Sequence, residues 1–218
     1  PNLNVKFAGV NGGIAGGERE GVTHQFPEDI GILRTMPNFT ILVPADAGQA
    51  KQACMAAAAI PGPVYIRLGS GRDPVFYDND QPFVPGKINI ISDSGHDIAL
   101  FGCGILLGRL QEAAALLSAE GIGVTLVEVH TIKPMDVEGV TAVLARCGAA
   151  VTAEDHNIIG GLGSAIMETA AENCPVPIAR IGLRDTFAGS GLPGELLDYY
   201  KMSVADIVQA AKDTIKRK

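Results

Sequence analysis

HDIALFGCGILLGRLQEAAALLSAEGIGVTLVEVHTI, residues 96 to 132, decides the fold. It opens on a short apolar run closed by glycines, Ile98 to Gly104. Leu106, Leu107, Leu110, Ala113, Ala114 and Leu117 then recur at the three- and four-residue spacing of one helix face. After Gly121 a β-branched run follows, Val124 to Ile132. Strand, helix, strand in this order, with both strands apolar throughout, predicts a parallel sheet covered on both faces.

Working outward from there, the alternation continues. VEGVTAVLARCG (137–148) reads as a helix, AAVTAED (149–155) as a strand and SAIMETAAEN (164–173) as a helix. PIARIGL (177–183) is a further strand, and ADIVQAAKDTIKRK (205–218) closes the chain as a helix. Upstream, VKFAGV (5–10), FTILVPA (39–45) and VYIRL (64–68) are short strands bounded by turn residues. Between the first two, Pro27 followed by two acids suits the first turn of a helix that Pro37 stops. Asp46 is placed to cap the Ala-rich helix that runs to Pro61-Gly62-Pro63. SGRDPVFYDNDQPFVPGK, residues 70–87, has no periodicity and many breakers. The reading is an α/β protein of two parallel-sheet units, an incomplete one at residues 1–75 and a complete one at residues 92–218, with a linker at 76–91.

Composition narrows the function. In 218 residues, 47% hydrophobic content supplies a core, and 5% aromatics with no Trp make it aliphatic. A net charge of −7 argues against a nucleic-acid surface, which needs basic patches. Cys54, Cys103, Cys147 and Cys174 are scattered without metal-type spacing, as expected in a reducing cytoplasm. No apolar run is long enough to span a membrane, and no leader is expected. The chain starts at Pro1 within a strand-like segment, which reads as a cut.

Chemistry concentrates in GEREGVTHQFPEDIGILRTMPN, residues 17–38. His24 follows a glycine-containing loop and precedes a helix, where an imidazole near neutrality can donate to a substrate oxygen or move a proton. A turn histidine capping its helix is the plainer alternative. EDHNIIGGLGS (154–164) lacks full dinucleotide-binding spacing; its glycines read as room for close helix packing, with Ser164 as N-cap. His156, beside Glu154 and Asp155, has no second histidine at metal spacing and reads as a loop hydrogen-bonding residue. His130 and His96 read as structural or solvent-facing.

GVTHQFPEDIGILRTMPNFTILVPAD closely resembles the pyrimidine-binding domain of the transketolase family. VEVHTIKPMDVEGV, VTAEDHNIIGGLGSAIMETAAE and RIGLRDTFAGSGLPGELLDYYKMSVADIVQAAK resemble the C-terminal domain of that family, in the form in which the enzyme is split into two polypeptides. The resemblance implies a thiamine-diphosphate enzyme that cleaves a ketose and passes a two-carbon unit to an aldose, the cofactor serving as electron sink. It implies that the diphosphate and Mg²⁺ are held mainly by a partner chain, the N-terminal subunit, in a homo-oligomer or heterotetramer. No metal ligand is expected on this chain.

Carried over position by position, His24 falls on the family's THQ histidine near the reacting carbon, with Gln25 beside it. Glu20 falls near the family's substrate-hydroxyl Asp. Asn11 and Gly12 stand where the family has a phosphate-binding histidine, and Ser70 where it has a phosphate-binding arginine. Arg67 and Arg72 flank that slot and are the candidate replacements, with Arg67 open to a structural role as well. These departures give a shorter, branched or unphosphorylated sugar equal weight with a pentose phosphate. The family's activating glutamate lies upstream of residue 1, so the polypeptide is expected to be inactive alone. Deoxyxylulose-phosphate synthase, the beta subunit of a 2-oxo-acid dehydrogenase, and a non-catalytic assembly module are the alternatives.

Overall fold

The computed structural model describes residues 2–15, 21–70, 73–77 and 82–218. The first stretch of chain gives β1 (Lys6–Gly9), a 3₁₀ turn (Gly21–His24), α1 (Asp29–Arg34), β2 (Thr40–Leu42), α2 (Ala47–Ala59) and β3 (Val64–Arg67). The second gives β4 (Asn89–Asp93), β5 (Ile98–Gly102), α3 (Leu106–Ala119), β6 (Val124–Glu128), β7 (Thr131–Lys133) and α4 (Val137–Cys147). It ends with β8 (Ala150–Asn157), α5 (Leu162–Asn173), β9 (Ile178–Leu183), α6 (Pro193–Tyr199) and α7 (Val204–Ile215).

Two sheets result, in the orders β1-β3-β2-β7 and β4-β6-β5-β8-β9. The expected parallel pairings hold for β1, β2 and β3 and for β5, β6, β8 and β9. Each sheet also carries an antiparallel edge strand that the sequence did not announce. β4, whose first residues fall in the expected linker, pairs with β6 through Asn89 and Glu128. The run Val124–Ile132, read as one strand, breaks in two. Its end, β7, crosses to the first sheet and pairs with β2 through Ile41 and Lys133. The antiparallel strand therefore ties the two units together through backbone hydrogen bonds.

The α3 stripe is buried against the second sheet as its spacing predicts. Each leucine so buried contributes about 1.5–3 kcal/mol. α4 and α5 cover the opposite face. The first unit's own cluster is smaller: Leu42, Ala53, Ala57, Val64 and Ile66. Where the units meet, α1 lies on the loop between β8 and α5. Gly160, at φ +80°, comes so near Gly31 that an added Cβ would sit 3.0 Å from the Gly31 Cα. Arg34 fastens the contact, donating to the Gly160 carbonyl at 2.8 Å and pairing with Glu168 on α5. No helix among the described residues is long and apolar enough to cross a membrane. All four cysteines are unpaired.

Candidate active site

The C-terminal ends of β1, β2 and β3 open on a cleft of about 510 Å³, closed on its far side by Gly104, Ile105 and Asp155 of the second unit. Strand ends of a parallel sheet are where α/β folds bind ligands. Asn11 and Ser70, the two departures from the family pattern, both line it. Asp46 lines it as well and caps α2 as its position in the sequence predicts. Its Oδ1 accepts from the Gln49 N–H at 2.8 Å, and its Oδ2 accepts from the N–H groups of Phe76 and Tyr77.

Arg67 reaches the floor of this cleft from the end of β3 but is only 6% exposed. Its Nε donates to Asp29 at 2.8 Å and its Nη2 to the Asp155 carbonyl at 2.7 Å. Tyr65, two residues earlier on the same face of β3, donates its hydroxyl to Asp29 at 2.7 Å. Burial alone would raise the Asp29 carboxyl, but the Arg67 guanidinium and the hydrogen bonds from Arg67 and Tyr65 hold it below the ordinary value. Of the two roles open to Arg67, the structure builds the structural one, with the guanidinium bridging α1, β3 and β8. Asp29, expected simply as an acid in a helix's first turn, is the centre of a fully buried ion pair.

His24 ends the 3₁₀ turn on the surface, its Nδ1 3.0 Å from the Thr23 hydroxyl. Gln25 turns inward. Its Nε2 donates to the carbonyls of Ile14 and Gly189 at 3.2 and 3.1 Å, so its amide holds the loop in place. Arg67 lines the cleft, whereas His24 and Gln25 are not among the described residues that line it. Glu20 and Arg72 lie outside the described residues.

The EDHN stretch is where sequence reasoning fell short. Ser164 is not the N-cap of α5; Gly161 is. The cap hydrogen bonds come instead from Glu154 on β8, whose carboxylate accepts from the N–H groups of Leu162 and Gly163 at 2.5 and 2.8 Å. Burial pushes this carboxyl up to about 7, against the pull of those backbone donors. His156 is a hydrogen-bonding residue, as expected. Its Nδ1 donates to the Asn157 carbonyl and its Nε2 accepts from the Gly31 N–H at 3.2 Å. Burial, with the Arg67 charge nearby, lowers it to about 4, so it is neutral at pH 7. His130 is fully buried, packed against Phe83 with tilted rings whose centroids are 4.2 Å apart, and likewise lowered to about 4 by burial. An acid pair followed by histidine at a strand end was the available signal for this junction; the direction of its contacts was not in it.

Known proteins match both halves of this architecture. The model of the transketolase pyrimidine-binding domain matches residues 1–72, and that of the transketolase C-terminal domain matches residues 86–207. The chain belongs to the transketolase family. It is 40% identical to the 6-deoxy-6-sulfo-D-fructose transketolase subunit SqwH of Clostridium sp. (strain MSTE9), over 99% of this chain and 66% of that one. It is 35% identical to an apulose-4-phosphate transketolase subunit of Phocaeicola vulgatus, over 98% and 68%. A solved structure described as a split gene transketolase, inactive beta4 tetramer, superposes with a TM-score of 0.91 at 38% identity, covering all of this chain and 69% of that one. The chain thus spans about two thirds of the length of these relatives.

The transketolase family implies dependence on thiamine diphosphate, and the residues of the cleft test what part of it this chain could hold. Val43, Pro44 and Ile105 offer an apolar wall that fits a flat ring. Asp46 and Asp155 bring acceptor oxygens that backbone N–H groups already occupy, and the Arg67 guanidinium beneath is taken by Asp29 and the Asp155 carbonyl. That donor set does not fit a diphosphate. Among the described residues no group of three or more His, Cys, Asp or Glu side chains is placed to hold a metal ion.

Proposed function

We propose that this chain is the C-terminal subunit of a thiamine-diphosphate-dependent transketolase, a cytoplasmic enzyme that transfers a two-carbon ketol unit between sugars or sugar phosphates. It acts only when joined to an N-terminal, diphosphate-binding chain that holds the cofactor and Mg²⁺. The observation that carries this reading is the fit of both units together, over the whole chain, to a split transketolase described as an inactive tetramer of beta chains. The names of two relatives as transketolase subunits point the same way.

When bound, the cofactor supplies the electron sink for carbon–carbon cleavage. The roles left to this chain are orientation and proton handling. His24, exposed at the end of its turn, donates to or accepts from a substrate oxygen. Glu20, Gln25 and Arg72 contribute to the sugar's polar surroundings, while Arg67 shapes the floor beneath them. Asn11 and Ser70 replace the family's phosphate-binding pair, which favours a substrate other than an ordinary pentose phosphate. Relatives named for a sulfo-sugar and for apulose 4-phosphate are in keeping with that.

The test is reconstitution. The subunit containing these residues together with the upstream segment on which the family's activating glutamate lies is mixed with a diphosphate-binding transketolase subunit, thiamine diphosphate and Mg²⁺, and ketol transfer is followed across a panel of ketoses. Activity in the mixture and none in either chain alone is expected, with His24→Ala lowering kcat about 100-fold and leaving the melting temperature unchanged. A well-formed complex with no transfer on any sugar would leave a non-catalytic assembly module as the better description.

A further inference from the structure

The loop that carries His24 is clamped at its neck, and the clamp comes from the second unit. Gly13 and Phe26 exchange backbone hydrogen bonds at 3.1 Å, which brings the two ends of the loop together. Just inside that neck, the Asp155 carboxylate reaches over from β8. Its Oδ1 accepts from the Ile14 N–H at 2.9 Å and its Oδ2 from the Ala15 N–H at 3.2 Å. Gly13, at φ +86°, makes the approach possible: an added Cβ would lie 2.2 Å from the Asp155 Oδ2. Ile14 and Ala15 are buried, so without this acceptor two N–H groups would be left unsatisfied. A second hold lies on the other side of the neck. Gln25, next to His24, donates to the Gly189 carbonyl, and the Gly189 N–H is held by the Tyr200 hydroxyl at 2.9 Å.

We propose that Asp155 is a positioning residue for His24: the second unit fixes the neck of the loop and thereby the place of the imidazole. The inference rests on the reading of His24 given above. It makes the second unit part of the reaction apparatus. The Asp155 carbonyl accepts from Arg67, so the same residue joins the loop to the floor of the cleft. A loop held at its neck by two oxygens of one carboxylate is registered in two directions, and displacement of a reacting group by about 1 Å costs on the order of 100-fold in rate.

Amide exchange on the intact wild-type chain gives the first readout, independent of activity. Ile14 and Ala15, which lie in no strand, should exchange at least tenfold more slowly than unprotected amides. Unprotected rates at both would overturn the proposal, whether or not any variant folds. Asp155→Asn retains one acceptor oxygen but presents an amide group where the other stood. It should speed exchange at Ile14 and Ala15 at least tenfold while the strands β5 and β6 stay protected.

In the reconstituted enzyme, Asp155→Asn should lower kcat about 10- to 100-fold with the KM for the ketose within threefold. In a His24→Ala background it should cost less than threefold more, because an imidazole that is absent cannot be misplaced. Tyr200→Phe, a milder release on the other side, should lower kcat by a smaller factor and show the same dependence on His24. Full additivity with His24→Ala would overturn the positioning role and leave Asp155 a structural residue. If His24→Ala lowers turnover and Asp155→Asn does not, this inference alone falls. If His24→Ala changes nothing, the reading of the site falls first and takes the inference with it.

Discussion

The two units follow the same strand–helix alternation but differ in how much core each encloses by itself. In the second, a five-stranded sheet is packed on one face by the leucines of α3 and on the other by α4 and α5, which gives it large apolar clusters on both faces. In the first, three short parallel strands and two helices enclose only a small cluster of their own. The remainder is shared with the second unit: Ile30, Ile41, Val43 and Tyr65 join its apolar cluster, and directional contacts cross the border at β7 on the sheet edge, Arg34 on the Gly160 carbonyl, Arg67 on the Asp155 carbonyl and Asp155 on the loop neck. A unit whose strand ends open on a cleft cannot fill them with side chains. Apolar packing and directional contacts at its border together make up for the small core.

That contrast can be broken most directly at the buried ion pair. Arg67→Met leaves the fully buried Asp29 carboxylate without its counter-charge, a loss of about 3–5 kcal/mol. The expected result in a urea titration followed by circular dichroism is two transitions, with the first unit melting ahead of the second. A single unshifted transition would mean that the pair does not bear on the first unit's stability. Leu110→Ala, in the fully buried α3 stripe, should cost about 2–5 kcal/mol through transfer and cavity terms. It should move the transition of the second unit, and early loss of the first unit alone would reverse the comparison.

The smallest effect concerns pH. His130 sits between β6 and β7, where the chain passes from one sheet to the other, and its folded value is lowered to about 4. Its unfolded value is about 6.5, so between those limits the unfolded chain takes a proton that the folded chain refuses. Its contribution is therefore intact above pH 6.5 and is lost as pH falls towards 4. His130→Asn removes that loss. Relative to the difference measured at pH 8, the variant should gain about 1 kcal/mol on wild type at pH 5.5. An unchanged difference across the range would show that His130 is not a neutral group buried at the crossing.

Much of this architecture can be read along the chain, because most of it is local. The α2 cap at Asp46 is three residues from the Gln49 N–H it accepts, and the α3 stripe follows from helical spacing alone. What could not be read is non-local. Nothing in VEVHTIK says that Thr131–Lys133 should leave one sheet for another, since the choice of an edge depends on which sheet stands nearby. Ser164 looked like a cap because serine favours that position; Glu154, eight residues before the Leu162 N–H it accepts, won through tertiary approach. In the candidate site, His24 was visible from its motif and Arg67 from its position. The partners of Arg67, Asp29 and Asp155, and that of Gln25 beside His24, Gly189, are brought near only by folding.

The sequence by itself determined that this is a two-unit α/β chain of the transketolase type, with a polar loop around His24 and an aliphatic core, because periodicity, caps and short motifs are properties of neighbouring residues. Only the tertiary structure decided that the second unit lends the first a strand, a carbonyl acceptor for Arg67 and a clamp for the loop. Those contacts join residues more than a hundred positions apart in the case of Asp155 and Ile14, and they form only where two folded surfaces leave buried donors that need acceptors.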